Sequence, residues 1–182
     1  ISNVNEMESN MEAYLDNAAT TSVEDDVAEL MLKVMKEDFG NPSSKHIKGM
    51  QGENYIKNAT DTIASTLKVL PKEVFFTSGG TESDHIPLLS ILNRPEKGTI
   101  LVSSIEHPAL REQCNVLSRL GYNVLKINPD NNGIISPETV SSMITDDTLF
   151  ITIMAVNNET GAIQPIEQIA KAIEEKTKGK RK

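Results

Sequence analysis

Residues 76–84 read FTSGGTESD. An apolar run, Val74-Phe75-Phe76, stops at two hydroxyls, two glycines and a third hydroxyl, and a segment able to wind into a helix follows. The first backbone N–H groups of a helix have no intrahelical acceptor, and the aligned peptide dipoles leave that end positive. Gly79 and Gly80 carry no side chain to hold a ligand away from those amides, and Thr81 adds a hydroxyl donor. The chemistry this permits is an anion cradle, above all for a phosphate, assembled without Lys or Arg. The same residues also suit a tight turn followed by a capped helix, and the stretch alone does not choose between the two. Its spacing matches neither the glycine signature of dinucleotide sites nor that of nucleoside triphosphate sites. A phosphorylated cofactor of another kind is the better expectation.

Three further clusters carry polar chemistry. In SIEHPAL, His107 precedes Pro108, and proline at the first helical position puts the imidazole at a helix cap. There it can stack on a flat ring or move a proton, or simply serve as a structural cap. Asn157-Asn158-Glu159-Thr160-Gly161 follows the most apolar run of the chain; its amides can donate to a ring oxygen, or the residues can merely build a turn. Asp16-Asn17 and Ser43-Ser44-Lys45-His46 are polar loop clusters, individually weak. Cys114, the single thiol, falls with Leu110 and Leu117 on an apolar stripe and is expected to be a small buried residue, not a nucleophile. The basic tail KTKGKRK reads as a solvated helix end.

These clusters need elements to hold them. Helical spacing predicts helices over 23–38, 45–68, 108–120 and from Pro165, where Ile166, Ile169, Ala170 and Ile173 form the apolar stripe. Another helix follows Thr81, with Pro87 either limiting its first turn or kinking the helix, and a short one is opened by Ser136-Pro137. Short apolar runs predict buried strands at 74–76, 99–103, 122–128 and 148–156. This alternation points to an α/β fold of three layers, α/β/α, with a mainly parallel sheet. Ligands of such sheets sit beyond the carboxyl ends of the strands, where the glycine loop, the His107 loop and the Asn157-Asn158 loop all fall.

Composition narrows the partners. Of 182 residues, 38% are hydrophobic, enough for one domain with a core. A formal net charge of -8 argues against nucleic acid and anionic lipid. No apolar run reaches the roughly 20 residues that span a bilayer. One cysteine rules out a disulfide framework within the chain, and with no leader-like N-terminal pattern the cytoplasm is the expected compartment. Both termini look like cut edges, and ending after the helix from Pro165 is expected to leave an open strand edge and bare helix faces, so that the chain pairs with itself or derives from a trimmed parent.

YLDNAATT (14–21), FGNPSSKH (39–46), FTSGGTESD (76–84), EHPA (106–109) and VNNETGAIQPI (156–166) resemble, in order and spacing, the first half of the NifS/IscS-type cysteine desulfurases, which belong to the class V aminotransferase group of fold-type I pyridoxal 5'-phosphate (PLP) enzymes. The resemblance implies that Gly80 and Thr81 hold the cofactor phosphate, that His107 stacks on the pyridine ring and assists proton transfer as the catalytic residue, and that Asn158 bonds the ring's phenolic oxygen. It implies no metal. It further implies a short extension over 1–13, a partial PLP-binding large domain over 14–182, a homodimer, L-cysteine as substrate, and a sulfur-acceptor protein fed for iron–sulfur clusters or thiolated cofactors.

The resemblance also implies gaps. The family's Schiff-base lysine, the aspartate facing the pyridine nitrogen and the mobile loop with the catalytic cysteine have no match in this chain. The chain by itself is expected to be inactive, with PLP absent or weakly held. His85 and Pro87 stand where the family usually has asparagine and a small residue. Two other readings therefore stay open: another class V enzyme, such as a selenocysteine lyase or an aminotransferase, and a non-catalytic scaffold keeping the fold.

Overall fold

A computed structural model describes residues 13–178. The expected N-terminal extension lies almost wholly outside them, and the basic tail lies partly outside. The chain divides into two compact units between Phe75 and Phe76.

The first unit is helical. Helix α1, Asp25–Lys36, has Asp25 and Asp26 in its first turn and Lys33 and Lys36 in its last, an arrangement that complements the helix dipole. It buries none of its residues. Helix α2, Ile47–Leu67, starts at His46, whose Nδ1 accepts the Gly49 N–H at 3.2 Å, and ends at Lys68 in the left-handed region, φ 57°. The loop between them is pinned by glycines. A Cβ on Gly49 would stand 2.0 Å from the Ser44 carbonyl oxygen, and one on Gly40 would stand 2.1 Å from that of Lys48. Backbone meets backbone here, so no side chain fits. Asp38 ties the loop to α2 by accepting from the Tyr55 hydroxyl at 2.9 Å and lying 3.6 Å from Lys48 Nζ.

The second unit is the three-layer sandwich. Strands β1 (Thr99–Ser103), β2 (Asn123–Ile127) and β3 (Thr148–Thr152) form a parallel sheet in the order β2-β1-β3. Alternation along the central strand divides the core. Ile100 and Val102 face Leu88 of α3 (Gly80–Leu89) and Leu110, Cys114 and Leu117 of α4 (Pro108–Arg119). Leu101 faces Val140 of α5 (Pro137–Met143) and Ile169 of α6 (Ile166–Thr177). All five residues of β1 are buried. Full burial of one such side chain is worth about 1.5–3 kcal/mol. β1 begins where it does because Thr99 Oγ1 donates to Asp147 at 2.9 Å and accepts from Asn123 at 3.0 Å, while Gly98 lets the Asp147 carbonyl approach.

Four expectations are corrected. Residues 74–76 form no strand; among the described residues no strand lies beside them, and Phe75 is 81% exposed. The apolar run at 148–156 is a strand only to Thr152 and is half-buried after Thr148, since β3 has a partner on one side alone among the described residues. The α6 stripe is partial: Ile169 is buried and Ile173 half-buried, but Ile166 and Ala170 are exposed. Pro87 lies in the interior of α3, not in its first turn, because the helix already starts at Gly80. Its ring removes a backbone donor, and the Ser90 hydroxyl bonds the Pro87 carbonyl at 2.6 Å as the helix closes.

Candidate functional site

The site is assembled within the second unit from three chain segments. The first is the start of α3. Gly79 is extended, φ 160° and ψ −179°, and the helix runs on from Gly80. The amides of Gly79, Gly80, Thr81 and Glu82 find no acceptor among the described residues, as expected for the first turn of a helix without a side-chain cap. A Cβ built on Gly79 or Gly80 would meet nothing within 4 Å among the described residues. Neither crowding nor a left-handed backbone asks for glycine at either position. The space before these amides is open, which is the arrangement an incoming anion requires.

One amide of the loop is taken. Ser78 N–H donates to the Glu82 carboxylate at 2.6 Å, and this bond holds the Glu82 carboxyl below its ordinary range. The Thr77 hydroxyl sits 2.7 Å from that of Ser83 and donates to the Gly79 carbonyl at 3.1 Å, closing the turn. The Thr81 hydroxyl has no hydrogen-bond partner among the described residues and lines an open cavity of about 420 Å³ with His85, His107 and Glu112.

The second segment follows β1. His107 caps α4 as its spacing to Pro108 predicts: Nδ1 accepts the Ala109 N–H at 3.2 Å. The neutral ring therefore carries its hydrogen on Nε2, and its outer edge is exposed. Beneath it Glu106 is buried. Loss of solvent raises its carboxyl above the ordinary range, outweighing the dipoles of the Met154 backbone and the Ser103 hydroxyl. Its Oε1 has no hydrogen-bond partner among the described residues.

The third segment follows β3. Asn158 is exposed and lines a cavity of about 200 Å³ together with Ser104, Glu106, His107 and Arg111. His107 borders both cavities, with Thr81 in one and Asn158 in the other. Gly80 is adjacent to Thr81 at the cradle. Asp16-Asn17 and the Ser43–His46 cluster belong to the first unit.

The sequence reading passed over two residues here and misread a third. Glu82 and Glu106 carry no local pattern that marks them. Asn157, expected either to donate its amide to a ring oxygen or to build a turn, is instead buried and accepts from three groups of its own loop. Cys114 is buried, and burial with the nearby Glu106 charge pushes its thiol up to about 11, which removes it as a nucleophile at neutral pH. Among the described residues no group of three or more His, Cys, Asp or Glu is placed to hold a metal, and no helix is long and apolar enough to cross a membrane.

A three-layer unit with a parallel sheet, an imidazole and a carboxamide in the loops after β1 and β3, and an uncapped helix start at Gly80 defines a class of α/β proteins whose ligand sites lie at the carboxyl edge of the sheet. Within that class the chain belongs to the aminotransferase class-V family, whose pattern matches residues 13–179. It is 41% identical over 162 residues to the cysteine desulfurase NifS of Azotobacter vinelandii, covering 88% of this chain and 40% of that protein. It is 42% identical over 168 residues to the cysteine desulfurase IscS of Methanosarcina thermophila, covering 91% and 42%. Among solved structures, a NifS-like protein superposes with a TM-score of 0.87 at 37% identity, over 92% of this chain and 47% of that one. SspA in complex with cysteine superposes with a TM-score of 0.86 at 38% identity, over 90% and 48%. The chain thus spans less than half the length of these relatives. The expected three-layer α/β/α fold with a mainly parallel sheet, of the fold-type I PLP-transferase kind, agrees with these neighbours.

Proposed function

We propose that these residues are the cofactor-phosphate half of a PLP-dependent cysteine desulfurase. The intact parent would convert L-cysteine to L-alanine while an enzyme thiol takes the sulfur as a persulfide. The observation that carries this reading is the open row of amides from Gly79 to Glu82, ending beside the cavity wall that Thr81 shares with His107. The names of the relatives supply the substrate class.

The residues present fit the group. Gly80 and Thr81 would hold the phosphate through N–H groups and the Thr81 hydroxyl, with the α3 dipole adding to the attraction. The exposed face of His107 would lie against a flat ring, and its Nε2–H, fixed by the Nδ1 cap, would hold or deliver a proton. The Asn158 carboxamide, free of other bonds among the described residues, would donate to a ring oxygen. PLP, when bound, supplies the electron sink for the bonds broken at the substrate's carbon. Cys114, the single thiol of this sequence, is too buried to take sulfur.

The finer parts of the reading are a partial large domain from residue 14 onward, a cytoplasmic homodimer in which the exposed apolar stripe of α1 is covered, and delivery of sulfur to an acceptor protein for iron–sulfur clusters or thiolated cofactors. A scaffold without catalysis is the second reading. It is favoured by His85, whose Nε2 lies 3.4 Å from the Ala109 carbonyl within the cavity wall. Titration of the chain with PLP, followed through backbone amide resonances, tests the proposal. The expected result is saturable shifts at Gly79–Glu82 and on the His107 ring. Shifts absent there, or confined to lysine side chains, would overturn it.

A further inference from the structure

Asn157 joins two of the three site segments. Its side chain has two ends with different work. Oδ1 accepts from the N–H groups of Glu159 and Thr160, at 3.0 and 2.8 Å, and from the Thr160 hydroxyl at 3.1 Å. Nδ2 donates across to the carbonyl of Ile105 at 3.0 Å and also lies 3.3 Å from the Met154 sulfur. Ile105 lies two residues before His107. The loop would close without this side chain, because the backbone does so alone: Asn157 N–H donates to Ala162 at 2.9 Å and Gly161 N–H returns to the Asn157 carbonyl at 2.8 Å. Gly161, at φ 74°, supplies the left-handed turn this needs.

The cross-link is therefore a separable feature. Asn157 is 7% exposed and forms the floor of the cavity whose walls carry His107 and Asn158. We propose that Asn157 is a positioning residue that sets the distance between the His107 and Asn158 loops, so that both side chains reach one bound ring together. This rests on the PLP reading for its consequence, but the coupling of the two loops stands without it. The amide is the group such a link requires. A carboxylate of the same shape could serve the loop amides but would turn an oxygen lone pair on the Ile105 carbonyl.

That asymmetry gives the experiment, done on the full chain by NMR. Asn157→Asp keeps the acceptor and loses the donor. Asn157→Ser keeps a weaker acceptor for the loop amides, is too short to carry its hydroxyl donor across to Ile105, and adds no charge near Glu106. Amide hydrogen exchange is read at Glu159 and Thr160 on one side, and at Glu106 and Ala109 on the other. In both variants exchange at Glu106 and Ala109 is expected to speed roughly 2- to 12-fold, the range for one lost hydrogen bond, while in Asn157→Asp Glu159 and Thr160 stay protected. The His107 ring resonances should move in both. Added inorganic phosphate should still shift Gly80 and Thr81 as in the unsubstituted chain, whereas the response of the His107 ring to PLP should weaken. Unchanged exchange at Ala109 with unchanged His107 resonances in both variants would overturn the coupling. An unsubstituted chain deaf to PLP would instead sink the cofactor reading, leaving the exchange result to decide the coupling alone.

Discussion

The two units use similar apolar side chains to opposite effect. In α1, Val27, Leu30, Met31 and Met35 recur at helical spacing, yet all are about half or more exposed. In the second unit Leu110, Cys114 and Leu117 recur in the same way on α4 and are buried. Of the buried apolar residues among those described, Ala64 alone belongs to the first unit. The lesson is that a stripe forms a helix locally but becomes a core only where a sheet face receives it. The first unit is held by glycine contacts and by Asp38, the second by packing on β1.

Core truncation probes this difference most strongly. Leu101→Ala is expected to cost about 2–5 kcal/mol in denaturant unfolding of the second unit, whereas Met31→Ala should stay within about 0.5 kcal/mol. An equal penalty at Met31 would break the contrast. Glycines sharpen it next. Gly49→Ala forces a Cβ onto backbone and should destabilise the first unit by about 1–3 kcal/mol. Gly80→Ala meets open space, so circular dichroism melting should hardly change while PLP or phosphate binding weakens. Loss of stability at Gly80 with binding intact would reverse the assignment.

Cys114 reports on the packed side alone. An unfolded thiol ionises near 8.5, and the native one remains neutral until about 11. At pH 8 thiol reagents should thus label native chain about 240-fold more slowly than unfolded chain, by the thiolate fractions those two values give. The sign for stability follows: between those values only the unfolded state sheds the proton, so the fold weakens as pH rises through that window. The smallest effect belongs to Glu82. Its carboxyl is held low by the Ser78 amide, so this stabilising bond is present at neutral pH and is lost only as pH falls below the ordinary carboxylate range. Glu82→Gln should flatten that acid-side change in the Ser78 amide resonance and leave melting near neutral pH almost untouched.

Much of this was legible in the residues. Thr99–Ser103 reads as a strand and is one, because its five apolar or small residues sit between two paired neighbours. Pro108 and Pro137 mark helix starts through proline's fixed φ. His107 as a cap and the open amides at Gly79–Glu82 were likewise readable from local chemistry. The apolar run at 74–76 misled, since a strand needs a partner and pattern alone does not supply one. Asn157 was hidden for a similar reason: its decisive bond reaches Ile105, a contact that the turn-forming tendency of asparagine conceals. Local rules find ends and caps; they do not find links between loops distant in sequence.

The placement of β1 sets an order of events in synthesis. Both of its neighbours, β2 and β3, come later in the chain, so its backbone emerges from the ribosome with two unmet edges. The glycine-pinned helices before it can form at once from local contacts, but the sheet waits for residue 152. During that interval the nascent chain exposes the strand that ends up most fully buried, and this is when a holdase chaperone would matter most to its yield.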